Sequence, residues 1–149
     1  MRLALEKARE NLLAGGGPFG AVVVKDGQVV ATGCNRVCPE LDPTAHAEMV
    51  AIREACQALG VFHLTGAVLY ASTEPCPMCL AACYWARLER VYYATNRRDA
   101  AAAGFIDEKL YREVCLPPGQ RELPLTEDGR EEALALFRLW ENLPDKMRY

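Results

Sequence analysis

Two short apolar segments, Ala67-Val68-Leu69-Tyr70-Ala71 and Arg90-Val91-Tyr92-Tyr93-Ala94-Thr95, are separated by little more than one helix. Residues 77–87 read as that helix, opening on a proline where a missing N–H costs nothing. Strand, helix and strand in so short a span form a βαβ unit, whose strands run parallel through a right-handed crossover. Upstream, residues 19–24 and 28–32 flank Asp26-Gly27, the chemistry of a tight hairpin turn, so this second pair is antiparallel. Val22-Val23-Val24 is apolar at successive positions, which marks a strand covered on both faces. The sum is an α/β fold: a mixed sheet, antiparallel at one end and parallel at the other, between layers of helix.

The remaining segments supply those helices. Residues 3–13 form one, stopped by Ala14-Gly15-Gly16-Gly17-Pro18. Residues 45–59 place Ala45, Met49, Ile52, Cys56 and Leu59 on one stripe that ends at Gly60. Beyond Thr95 the pattern is helical over 97–103 and 108–115, turns at Pro117-Pro118-Gly119, and closes with a helix over 127–143. That last helix carries Ala133, Leu136, Phe137, Trp140 and Leu143 on one face. No repeat, low-complexity tract or linker divides the 149 residues, so 1–149 is expected to be a single domain. A chain of this length buries about 68–70% of its extended surface, enough for one core.

Composition excludes several classes of protein. The chain has no apolar run of 18 residues, so no membrane span is expected. Its first ten residues scatter charges where a secretion signal needs an unbroken apolar stretch, so the expected location is cytoplasmic. Seventeen basic against twenty acidic side chains give a net charge of -3, which argues against a nucleic-acid partner. Seven cysteines, an odd number, do not suit a disulfide scaffold in a reducing compartment. Histidine is scarce, with only His46 and His63.

The chemistry gathers in two short stretches, His46-Ala47-Glu48 and Pro75-Cys76-Pro77-Met78-Cys79. Cys76 and Cys79 lie three apart at a helix start, where both sulfurs can face one point and the helix end favours thiolates. Two thiolates and one imidazole leave zinc a fourth position for water, the catalytic pattern. Water bound there loses a proton near neutral pH, with a pKa of about 7, and becomes a hydroxide nucleophile. His46 and Glu48 would diverge in mid-helix, so they can share a site only at a helix entry. Pro43 and Thr44 permit that, Thr44 as the N-cap. Glu48 is then no ligand but the proton carrier, base first and acid second. His-x-Glu followed by Pro-Cys-x-x-Cys is the established pattern of zinc nucleobase deaminases.

Taken alone, Cys-x-x-Cys also fits a redox pair, or a structural zinc site with His63 or Cys83 drafted as fourth ligand, but neither explains His-x-Glu. His63 is expected in a loop. Cys34, Cys38, Cys56, Cys83 and Cys115 are expected to be small buried hydrophobes.

On these residues the chain resembles the cytidine deaminase superfamily, and within it the guanine branch. The likeness includes Gly16-Gly17-Pro18-Phe19-Gly20-Ala21, Asp42-Pro43-Thr44-Ala45-His46-Ala47-Glu48 and Glu74-Pro75-Cys76-Pro77-Met78-Cys79. It continues through Tyr84-Trp85-Ala86-Arg87, the run from Asp99 to Phe105, and the terminal Tyr149. The resemblance implies a three-layer α/β/α sandwich around a five-stranded sheet, and hydrolysis of guanine to xanthine and ammonia. It implies one zinc per chain on His46, Cys76 and Cys79, with Glu48 as proton shuttle and Asp107 as a second acid. Asn35, Phe19, Trp85, Tyr149 and Ala47 would line the purine. It also implies a homodimer in which a C-terminal segment, residues about 120–149, crosses to close the partner's active site. Ile106 replaces an acid common just before the second catalytic aspartate, so Asp107 has no neighbouring substitute.

The rival substrates are adenosine in tRNA, and guanosine, cytosine or a related triazine. RNA binding needs clustered cations, whereas residues 121–149 carry five basic and seven acidic side chains, a balance of -2. A non-enzymatic zinc or redox module built on Cys76 and Cys79 is the rival from another class.

Overall fold

Asp26 and Gly27 both adopt positive φ, 50° and 76°, as a two-residue hairpin turn requires. The strands on either side, β1 (Gly20–Lys25) and β2 (Gln28–Cys34), pair antiparallel, with a register shift between Val23 and Val24. In this computed structural model, which describes residues 1–148, β3 (Ala67–Thr73) pairs antiparallel with the other edge of β1. β4 (Arg90–Thr95) then pairs parallel with β3, giving the order β2-β1-β3-β4.

Seven helices complete the described chain: α1 (Arg2–Leu13), α2 (Val37–Glu40), α3 (Ala47–Leu59), α4 (Pro77–Trp85), α5 (Arg97–Ala102), α6 (Asp107–Cys115) and α7 (Arg130–Glu141). The mixed sheet and the βαβ unit are as expected. The five-stranded sheet is corrected to four strands among the described residues. Past β4 the described residues form α5, α6, a 3-10 turn and α7, and the chain between α6 and α7 is broken by Pro117, Pro118 and Pro124, which cannot donate to a ladder. At the start of α5 the Asn96 side chain accepts from the main-chain N–H groups of Arg98 and Asp99, while Asp99 accepts from the Asn96 N–H at 2.9 Å, a capping box.

Two glycines set how closely helices approach the sheet. Gly20 lies against the main chain of α1, where an added Cβ would fall 2.5 Å from the Ala8 nitrogen. Gly33 lies against the first turns of α3, where a Cβ would meet the Ala47 carbonyl and fall 2.7 Å from the Ala51 nitrogen. Gly33 is the cross-strand partner of Ala21, next to Gly20, so the two glycines face opposite sides and α1 and α3 cover opposite faces. The core between α3, α4 and the sheet contains Ala21, Val23, Ala51, Ile52, Ala55, Leu64, Leu69, Cys83 and Ala86. Its many alanines are what allow helix and strand backbones to sit so close.

The chain clusters into two compact units, Met1–Arg112 and the residues from Glu113 onward. The first holds the sheet, α1–α5 and most of α6. The second includes the end of α6, a single 3-10 turn at Pro118–Gln120, and α7. Within the second unit the Arg121 guanidinium donates to the Leu116 carbonyl at 2.9 Å, and the Lys146 and Arg148 cations each lie 5.8 Å from the Trp140 ring centre. No residue of α7 is buried. Among the described residues, no helix is long and apolar enough to cross a membrane.

Candidate active site

Two helix entries meet at one point. His46 is the N-cap of α3 and Cys76 is the N-cap of α4, both extended, at φ -67°, ψ 155° and φ -64°, ψ 168°. Their carbonyls accept the first intrahelical bonds, from Val50 and Leu80. Their side chains make no capping bond and are left to serve something else. The expected N-cap, Thr44, is corrected to His46. Thr44 instead lies in the loop before the helix, where its main-chain N–H and its hydroxyl both donate to Asp42 Oδ1 at 2.7 Å. That Asx turn, together with the Arg36 N–H donating to the Ala45 carbonyl at 2.8 Å, delivers the chain into α3 with His46 at its mouth.

The donor atoms of His46, Cys76 and Cys79 all lie within 4.8 Å of one another, and Cys76 Sγ is 3.6 Å from His46 Nδ1. Both cysteines are buried. The electrostatics of the protein alone show a centre in need of a cation. The Cys76 thiol is pushed down to about 4, first by the hydrogen bond from Cys79 and against its own burial. Cys79 is pushed far up, because it donates to Cys76 and is itself buried. His46 is raised, chiefly by its contact with Cys76. Glu48, buried at the start of α3, is pushed up to about 7 by desolvation. Two sulfurs and a buried carboxylate thus compete for protons in a small volume. A divalent ion resolves the conflict by taking both sulfurs as thiolates. Two thiolates and an imidazole are a donor set that suits zinc, so the residues fit it.

A cavity of about 420 Å³ opens from this centre. It falls within the size range of small-molecule sites. Among its lining residues are His46, Glu48 and Cys76 on one side, and Phe19, Asn35 and Asp107 from other parts of the chain. The structure therefore brings together six residues singled out in the sequence, with Cys79 buried beside them. Asn35 is held from two directions: its side-chain oxygen accepts from the Val37 N–H at 3.3 Å, and its carbonyl accepts from Asn11 Nδ2 at 3.0 Å. Asn11 Nδ2 also donates to the Gly17 carbonyl at 2.8 Å, tying the glycine loop to the same wall. Asp107, the first residue of α6, is half-buried, and burial raises its carboxyl above the ordinary value.

Three expected residues stand differently. Ala47 is fully buried in the first turn of α3, and no part of it is among the lining residues. Trp85, the last residue of α4, is 65% exposed and does not line the cavity of its own chain, because it ends the helix on the side away from the Cys76 mouth. Tyr149 lies outside the described residues. The cysteines divide as well. Cys83 is buried as expected and Cys34 and Cys56 are half-buried, but Cys38 and Cys115 are exposed, a correction for those two. Cys38 lies in one-turn α2 at the cavity wall, and Cys115 is the last residue of α6, two helices with no fully buried residue. His63 lies in a loop against Phe62, with ring centres 4.4 Å apart.

Sequence reasoning gave no role to Val37, Glu74 or Leu110, and mentioned Phe105 only as part of the family likeness. Phe105 packs edge-to-face on Phe19 with ring centres 4.7 Å apart, and Ile106 and Leu110 extend that apolar wall. Their only sequence signal is the small apolar run before an acidic helix start.

This geometry coincides with what known proteins share with the chain. Residues 1–95 match the family model described as the cytidine and deoxycytidylate deaminase zinc-binding region. The chain belongs to this family of zinc-dependent deaminases. It is 48% identical over 150 aligned residues to the guanine deaminase of Bacillus subtilis, covering 100% of this chain and 96% of that protein. An X-ray structure of guanine deaminase from Bacillus subtilis superimposes with a TM-score of 0.95 at 48% identity, over 99% of this chain and 95% of that one. A tRNA-specific adenosine deaminase of Agrobacterium fabrum is 50% identical over 96 residues, but covers 64% of this chain and 63% of that protein.

Proposed function

We propose that this chain hydrolyses guanine to xanthine and ammonia. The observation that carries this is the convergence of His46, Cys76 and Cys79 at one wall of a cavity with aromatic lining and two acids, Glu48 and Asp107. Likeness to a guanine deaminase runs the whole length of the chain, whereas likeness to the tRNA deaminase covers about two thirds, and this favours the free base over RNA.

His46, Cys76 and Cys79 hold one zinc ion per chain. Bound there, zinc would supply the acidity that lets a water lose a proton near neutral pH and attack the amine-bearing ring carbon. Glu48 takes the proton that water gives up and passes it to the amine. A C–O bond forms, the C–N bond breaks, and of the two protons of water one leaves on ammonia and the other ends on the ring nitrogen of the product. Asp107, at the opposite wall, is the second acid and assists proton delivery to the departing nitrogen. The flat base lies against Phe19, with Asn35 donating from its amide nitrogen. Both helix N-termini point their N–H groups at the charge that develops.

The working form is a homodimer in the cytoplasm, where seven unpaired thiols persist. Residues 1–149 act as one catalytic domain, with residues about 120–149 crossing to close the partner's cavity and bringing Tyr149 to the base. Support comes from the exposed apolar side chains Leu136 and Phe137 on α7. An ammonia-release panel over free bases, nucleosides and tRNA tests the substrate. Release from guanine is expected, with little from cytosine, guanosine or tRNA. Release from guanosine or tRNA without release from guanine overturns the proposal.

A further inference from the structure

Asp107 reaches the cavity on a helix with no fully buried residue, whose half-buried Leu110 is its apolar contact with the cavity wall. Polar contacts add to that seating. Tyr111, one turn beyond Asp107 on the same face, donates its hydroxyl to the carbonyl of Pro75 at 2.7 Å, immediately before Cys76. Glu108 meets Arg97, with Nε 2.9 Å from its carboxylate oxygen. The Arg97 guanidinium also lies 4.6 Å from the centre of the Tyr111 ring. On its other side Arg97 grips Glu74: its main-chain N–H donates to one carboxylate oxygen at 2.9 Å and its guanidinium to the other at 3.4 Å. Glu74 is itself anchored, its N–H donating to the Thr95 carbonyl at 2.7 Å as β3 and β4 end. Arg97 opens α5 directly after the Asn96 capping box, so its main chain is held before its side chain acts. Tyr111 is pushed up to about 12, first by burial and then by Glu74, so it stays a donor across the working pH range.

We infer that Arg97 and Tyr111 are positioning residues that clamp α6 to the Glu74-Pro75-Cys76 loop and so hold Asp107 at a set distance from the metal-binding wall. The inference rests on the proposed role of Asp107 as second acid. A guanidinium suits this place because it serves a carboxylate on each side and an aromatic face at once, which an ammonium does not.

The test is a kinetic cycle on the zinc-loaded enzyme, run with whichever base the wild type deaminates in the ammonia panel. Inactivity of the wild type on guanine thus counts against the substrate proposal alone. Arg97→Ala should lower kcat by about 10-fold to 100-fold, the range expected when a reacting group is misplaced by an ångström, with KM little changed. Tyr111→Phe should move kcat the same way by a smaller factor. Both variants should keep their zinc, and peptides covering residues 107–112 should exchange amide hydrogens faster than in the wild type. Added to Asp107→Asn, Arg97→Ala should cost less than about twofold more, because the group it positions is already gone. Wild-type kcat in Arg97→Ala, unchanged exchange over α6, loss of zinc, or full multiplication of the two losses would each overturn the clamp.

Discussion

The two walls of the cavity are built on different physical principles. The wall carrying His46 and Glu48 rides on α3, whose first turns press main chain to main chain against β2 at Gly33 and whose residues Ala47, Ala51 and Ala55 are fully buried. The wall carrying Asp107 rides on α6, which has no fully buried residue and is joined to the rest by Leu110 at the cavity wall, by Tyr111, and by Glu108 through the Arg97 guanidinium. Close packing of small residues cannot slide by a fraction of an ångström without clashing. Exposed ion pairs and single hydrogen bonds can. On the proposed reading, the metal-binding and first proton-carrying groups would thus be set by packing, while Asp107 would depend on its polar tethers for its position.

Substitutions that break one wall and spare the other should expose this difference. Glu48→Gln, on the packed wall, should keep zinc and cut kcat by about 10²-fold to 10⁴-fold, read as ammonia release alongside metal content. Asp107→Asn, on the tethered wall, should cost about 10-fold to 100-fold in kcat, with an unchanged melting temperature, since no packing is lost. Gly33→Ala should behave in the opposite way, lowering unfolding stability by roughly 1–3 kcal/mol or more, because its Cβ meets helix main chain that has nowhere to move. Calorimetry or denaturant unfolding measures it, and a stability equal to wild type would mean α3 is not seated as tightly as described.

Asp42 offers the smallest and most local test. Its carboxyl is held below the ordinary value, first by the Thr44 hydroxyl and then by the Thr44 N–H. A lowered folded pKa means a stabilising contribution present above the unfolded value of 3.8 and lost as the pH falls through the folded one. Asp42→Asn should therefore flatten the pH dependence of stability in that acid range while leaving the profile near neutrality unchanged.

Much of the site was legible before any coordinates because its decisive features are local. A proline after Cys76, a three-residue cysteine spacing and a Pro43-Thr44 approach to His46 all concern chain direction over a few residues. The N-cap assignment slipped by two positions because Thr44 found a nearer partner in Asp42 than the helix end. The hairpin was equally plain, since Asp-Gly meets its demand for positive φ within two residues. What could not be read were pairings across long separations. Phe19 meeting Phe105, and Tyr111 meeting Pro75, join segments whose order along the chain says nothing about their distance.

The amino-acid sequence by itself determined the donor types, the helix mouths that present them and the alternation of strand and helix, because caps, turns and periodicity are short-range steric and hydrogen-bonding facts. Only the tertiary structure decided that the sheet has four strands, that Phe105 lines the cavity while Trp85 does not, and that Tyr111 and Arg97 meet the Glu74-Pro75 segment. Those outcomes depend on which surfaces bury one another, and burial is a property of the whole packed chain rather than of any stretch of it.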